Sequence, residues 1–163
     1  MSLRQKITAC LWFEHQAREA AQFYTSIFPG SSIEDVHHAK ADTPAAKMGD
    51  VLLVSFTIAG LRYTALNGGL HDKFNDAISL SVSCEDQAEV DYFWNALVDG
   101  GGKPVACGWL KDRYGLSWQI IPRQLPELLA DPDPEKGRRV MQAMFEMVKI
   151  DIATLQAAAE GIP

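Results

Sequence analysis

Apolar and polar positions along the chain run through one pattern twice. Ile7-Thr8-Ala9-Cys10-Leu11-Trp12-Phe13 is a short apolar run with β-branched and aromatic content, which predicts a buried strand. Ala17, Ala20, Ala21, Tyr24, Ile27 and Phe28 then recur at helical spacing, and Pro29-Gly30 stops that helix. Ser31 to Lys40 suits an edge strand, and Ala41 to Lys47, with Pro44, a loop. Val51 to Ile58 and Leu61 to Leu66 flank Ala59-Gly60, a hairpin signal.

The order begins again at Ala77, where Ala77 to Ser83 alternates apolar and small polar residues, the mark of a strand with two different faces. Asp86 with Glu89 gives a capping-box pattern. Val90, Phe93, Trp94, Leu97 and Val98 form the stripe of the next helix, which Gly100-Gly101-Gly102 ends. Strands are predicted near Val105 to Trp109 and over Leu116 to Ile121, joined through an Asp112-x-x-Gly115 turn and closed by Pro122. Beyond them Asp131-Pro132-Asp133-Pro134 is a breaker. Val140, Met141, Met144, Phe145, Met147 and Val148 mark a Met-rich amphipathic helix, its stripe suited either to the protein's own core or to a dimer contact. The expected fold is therefore α+β, a duplicated strand–helix–strands module. Module one covers 7–67, module two 77–122 and a helical tail 123–163, all within one domain. Such modules can pair through exposed strand edges so that concave sheets enclose a cavity.

Composition narrows the partners. Hydrophobic residues make up 47% of the 163 and charged residues 22%, so the chain builds a core without a metal or disulfide staple. A formal charge of -6 argues against nonspecific nucleic-acid binding, and Lys136, Arg138 and Arg139 read as a solvated helix face. Three widely spaced cysteines, Cys10, Cys84 and Cys107, suit a reducing compartment. No segment has the length of apolar sequence that a membrane span needs, and no apolar h-region follows Met1 to Lys6. The expectation is a cytoplasmic protein that engages neither nucleic acid nor membrane.

Several segments together are familiar. They are Leu11-Trp12-Phe13, Phe23 to Pro29, Ala65-Leu66-Asn67-Gly68-Gly69, Cys107 to Asp112 with Tyr114-Gly115, and Ser117 to Pro122. With them the chain resembles the PhnB-like family of the glyoxalase / bleomycin-resistance / extradiol-dioxygenase (vicinal oxygen chelate) superfamily, nearly throughout and including Met141 to Leu155. The resemblance implies paired βαβββ modules, a homodimer and a small-molecule ligand in the cup. Members often carry the label 3-demethylubiquinone 3-methyltransferase. Metal-dependent members place His or Glu on the first and last strand of each module. Carried over, those positions fall at Ala9, Ala77 and Gln119, with the fourth near Thr64 or Leu66. Alanine ligates nothing and a neutral amide binds metal poorly, so the expectation is a site with neither metal nor other cofactor. His37 and His38 are adjacent and on a strand point to opposite faces, while His15 and His71 read as surface or capping residues.

The cup-facing candidates are Phe13, Thr64, Asn67, Ser79, Ser81, Trp109 and Gln119. Strand alternation sets Ser79, Ser81 and Ser83 opposite Ile78, Leu80 and Val82, and Gln119 with Ser117 opposite Trp118 and Ile120. Ser79 and Ser81 equally suit the filling of a tight strand face, Asn67-Gly68-Gly69 a turn, and Trp109 a core position. Hydrogen-bonding groups on a concave apolar surface fit a neutral ligand that needs only shape and hydrogen bonds. The alternative is an enzyme, a lyase, isomerase or dioxygenase with an unrecognised metal or acid–base pair. Methyl transfer is the weaker fit, because Gly100-Gly101-Gly102 follows a predicted helix and no GxGxxG occurs.

Overall fold

The computed structural model describes residues 5–70 and 72–162; Met1 to Arg4, His71 and Pro163 lie outside it. The chain divides between Phe74 and Asn75 into two compact units. Unit one runs β1 (Ala9–Phe13), α1 (Ala17–Ile27), β2 (Ser32–His38), β3 (Val51–Ile58) and β4 (Leu61–Asn67). Unit two repeats this as β5 (Ser79–Cys84), α2 (Gln87–Val98), β6 (Lys103–Pro104), β7 (Trp109–Lys111) and β8 (Ser117–Pro122). The tail adds α3 (Gln124–Leu129), α4 (Pro134–Phe145) and α5 (Ile152–Glu160). Strand order is β1-β4-β3-β2 in one sheet and β5-β8-β7-β6 in the other, so each module joins its first and last strands in parallel. The duplication expected from pattern is a duplication of topology.

Each sheet has one helix of its own and buries one face beneath it. In module one the buried side of α1 is Ala17, Ala20, Ala21, Tyr24 and Ile27. It meets the β-strand side chains that alternation turns the same way, Leu11, Val54, Phe56 and Ala65, all buried. Tyr24 stacks on Phe56 with ring centroids 6.3 Å apart, and Phe56 stacks in turn on its cross-strand partner Tyr63 at 5.8 Å. In module two Val90, Phe93, Trp94 and Leu97 of α2 cover the buried Leu110, Trp118 and Ile120. Burying one such side chain contributes roughly 1.5–3 kcal/mol.

Local signals end the elements where the pattern indicates. Asp86 Oδ1 accepts from Glu89 N at 2.9 Å to cap α2, while Glu89 Oε2 accepts from Glu85 N at 2.8 Å. The reciprocal bond of the capping box thus lands one residue before the cap. After α2, a Cβ on Gly102 would lie 2.7 Å from Leu97 O and 2.8 Å from Lys111 O, so only glycine lets the chain return this tightly to the sheet. Asp112 is buried at the β7–β8 turn. It accepts from Tyr114 N (2.9 Å), Leu116 N (3.1 Å) and Trp118 Nε1 (2.9 Å).

Three expectations change. The strand predicted near Val105 to Trp109 is broken: Cys107 (φ 56°) and Gly108 (φ 82°) are left-handed, and β7 starts only at Trp109. Ala77 and Ile78 precede β5 in a turn. The Met-rich helix ends at Phe145, and the tail holds two further helices that the apolar spacing did not reveal. Its core is Leu125, Val140, Ile150, Leu155 and Ala159, with Met144, Met147 and Ile121 packed against it, so the inner side of the stripe belongs to unit two. Met141, Phe145 and Val148 remain outside, 45%, 62% and 51% exposed. Of the basic cluster, Lys136 pairs with Asp131 at 2.9 Å and Arg138 with Glu135 at 2.9 Å. Arg139 donates to Ala158 O and Ala159 O at the end of α5.

Two substitutions test this account by chemical denaturation. Asp112→Ala strands three donors, two of them backbone, and is expected to cost about 3 kcal/mol. Ala59 stands at φ 47° in the β3–β4 turn ahead of Gly60 at φ 81°. Ala59→Gly is therefore expected to stabilise by roughly 0.5–1 kcal/mol, the left-handed penalty exceeding the entropy cost of glycine.

Candidate functional site

Because side chains alternate along a strand and cross-strand partners share a side, register assigns every residue to the helix face or to the far face. On the far face of module two lies the row Ser81–Gln119–Trp109, beside the row Ser79–Ser117–Lys111. Gln119 Nε2 donates to Ser79 Oγ at 2.9 Å. Ser117 Oγ donates to Asp76 Oδ1 at 2.9 Å, and Lys111 Nζ stands 3.0 Å from the same carboxylate. The hydrogen bonds from Lys111 and Ser117 hold the Asp76 carboxyl below its ordinary value. Lys111 and Asp76 neutralise each other, and the exposed Lys103 of β6 extends the same row beyond Lys111, so the charge on this face lies in that row while Ser81, Gln119 and Trp109 are uncharged. Ser81 and Ser83 are exposed, while Ser79, Trp109 and Gln119 are half-buried.

Module one divides the predicted residues differently. Its far-face rows are Cys10–Thr64–Ser55–Asp35 and Trp12–Leu66–Leu53–His37. Thr64 is there. Phe13 and Asn67 are not: both are buried on the helix face, Phe13 edge-on to Phe74 at 5.3 Å. The far-face aromatic is Trp12, whose Nε1 donates to Gly69 O at 2.9 Å. A Cβ on Gly68 would strike the Trp12 ring at 2.2 Å, so glycine is required at 68 for that packing rather than for φ. Leu11, Trp12 and Phe13 are all apolar, so no alternation in the sequence marks Trp12 as the one that faces away from the helix. Asn67 Oδ1 accepts from Ala17 N (2.8 Å) and its Nδ2 donates to Val51 O (2.9 Å), so it caps α1 from fifty residues away. It also borders a cavity of about 320 Å³ with His15, Ala45, Ala46, Asp50 and Val51. The polar groups there are largely engaged, since Asp50 Oδ2 accepts from Lys47 N as well.

The first-strand position carried to Ala9 also falls on the helix face, opposite Tyr63, and Cys10 is the residue that shares the far face with Thr64. A register shift sets His37 against Leu53 and His38 against Val51, so the extra residue lies on β3 and the two histidines stay consecutive on β2. His37 Nε2 lies 3.3 Å from Asp35, and His38 Nδ1 lies 2.9 Å from Gly49 O. Among the described residues no three His, Cys, Asp or Glu side chains are grouped to hold a metal ion. No helix among them is long and apolar enough to cross a membrane.

The family model for 3-demethylubiquinone-9 3-methyltransferase matches residues 5–121. The chain belongs to this PhnB-like family. A PhnB protein from Bacillus cereus, itself described as a putative 3-demethylubiquinone-9 3-methyltransferase, is 34% identical. That match covers 72% of this chain and 99% of that one, with a TM-score of 0.65. Two more distant structures share the fold. Protein PA1353 from Pseudomonas aeruginosa is 20% identical over 73% of this chain and 98% of its own, with a TM-score of 0.58. The fosfomycin resistance protein FosX from Listeria monocytogenes is 14% identical over 77% and 98%, with a TM-score of 0.51. No curated protein matches the chain. The family match stops at residue 121, ahead of the tail, so the likeness of Met141 to Leu155 expected from sequence lies outside it.

Thiol accessibility checks the assignment of faces. Burial, then Glu89 and Asp86, push the Cys84 thiol up to about 12, whereas Cys10 is exposed on the far face. With a thiol-reactive dye at pH 8, Cys10 is expected to label within minutes and Cys84 only after denaturation.

Proposed function

We propose that this PhnB-like protein binds a small, planar, uncharged organic molecule on the far face of module two. The row Ser81–Gln119–Trp109 is the observation that carries the reading. It sets a hydroxyl and a primary amide beside an indole, so that a ring stacking on Trp109 presents its polar edge to Gln119 and Ser81. The row itself is uncharged: Lys111 is compensated by Asp76, and Lys103 stands in the neighbouring row on the edge strand β6, which favours an uncharged ligand at Gln119. Thr64 is the matching polar candidate on module one's own far face. Binding here needs no metal: of the positions carried over from metal-dependent relatives, Ala77 stands in the turn before β5 and Gln119 carries a neutral amide, and the module-one far-face pair is Cys10 and Thr64. A cytoplasmic homodimer, with the two modules and tail acting as one ligand-binding domain, completes the proposal.

The family model's name favours methyl transfer as the competing activity. Against it, Gly100-Gly101-Gly102 follows α2 rather than opening a helix after a strand, the placement a phosphate-cradling turn requires. Thermal-shift screening of metabolites and antibiotics, with benzamide as the simplest planar amide and with S-adenosylmethionine included, separates the readings. Stabilisation by S-adenosylmethionine but by no planar neutral compound would favour the transferase. Stoichiometric Zn, Ni, Mn or Fe in protein purified without chelators would overturn the metal-free reading. For whichever planar compound binds, Gln119→Ala is expected to weaken affinity about tenfold with little change in melting temperature, since it removes one hydrogen-bonding group. Unchanged affinity alongside a large fall in melting temperature would show that Gln119 serves the fold instead.

A further inference from the structure

The tail occupies part of the face assigned to the ligand. Ile121 follows Gln119 by two residues on β8 and so shares the far face. Yet Ile121 packs against the tail core of Leu125, Val140, Ile150, Leu155 and Ala159. A Cβ built on Gly108 would lie 3.0 Å from Ile150 Cγ1 and 3.2 Å from Ile121 Cδ1, so these two side chains close together over Gly108. The segment behind Ile150 is held on two sides. Cys107 N and Gly108 N donate to Met147 O and Val148 O, both at 2.8 Å. On the other side Gln87 Nε2 donates to Ile150 O at 3.1 Å and Gln87 Oε1 accepts from Ile152 N at 2.9 Å, with Lys149 paired to Asp91. The left-handed backbone at Cys107 and Gly108, which breaks the predicted strand, presents those two N–H groups.

We propose that Ile121, backed by Ile150, is a specificity-determining wall: the tail closes the Cys84–Pro122 end of module two's far face and limits how long a planar ligand can be. The inference rests on the ligand reading above and adds a size limit to it. It also gives a role to the tail, which lies beyond the family match ending at residue 121; 28% of this chain lies outside the match to the Bacillus cereus protein, of which 99% is covered.

The test is a homologous series, benzamide and its 4-methyl, 4-ethyl and 4-propyl derivatives, titrated against wild type, Ile121→Ala and the milder Ile121→Val, each confirmed folded by its melting transition. Wild type is expected to bind benzamide and to lose about tenfold or more in affinity by the propyl member. Ile121→Ala is expected to regain about tenfold for that member, and Ile121→Val part of it, while benzamide itself changes by less than about twofold. One identical length profile in all three proteins would overturn the wall and leave the ligand reading standing. Binding of benzamide by none of the three, with no other planar neutral compound bound in the thermal-shift screen, would overturn the ligand reading itself, and the wall with it.

Discussion

Each four-stranded sheet in this protein has a single helix of its own to cover it, and the rest of the structure follows from that shortage. A pleated strand presents two faces, and one helix buries only one of them. In both modules the helix face therefore collects Leu, Val, Ile, Phe and Trp and supplies the folding energy. The far face is free to carry Ser81, Gln119 and Trp109 in one module and Cys10, Thr64 and Trp12 in the other. Fold and candidate site are thus separated by parity along the same strands, and a change of one residue in register would exchange them.

Polar side chains with few alternatives hold that arrangement in place. Asn67 satisfies the first amide of α1 and a carbonyl of β3 together, tying helix to sheet where Gln16, next to the helix, provides no side-chain cap. Asp112 gathers two turn amides and the Trp118 indole N–H at a buried position, where leaving any of the three unpaired would be costly. These residues have the composition of a binding site, polar groups near an apolar surface, and serve packing. The tail shows the converse. Its Met-rich stripe has the composition of an interface, yet Val140, Met144 and Met147 turn into a core shared with Ile121, while Met141, Phe145 and Val148 stay outside.

The sequence by itself determined the module repeat, the two long helices and their stops, the Ala59-Gly60 hairpin and the partition of β5 and β8 into polar and apolar faces. All of these are written in periods of 2 and 3.6 residues or in turn chemistry, which act within a few residues. The same arithmetic made Ser79, Ser81 and Gln119 legible as companions on one face. Only the tertiary structure decided which way a uniformly apolar run faces, because Leu11-Trp12-Phe13 carries no alternation to read; hence Trp12 and not Phe13 lies on the far face, and Cys10 and not Ala9 stands beside Thr64. It also decided that Asn67 reaches back fifty residues to Ala17 and that Ile150 closes over Gly108. Such contacts depend on how distant elements meet, and no local period records them.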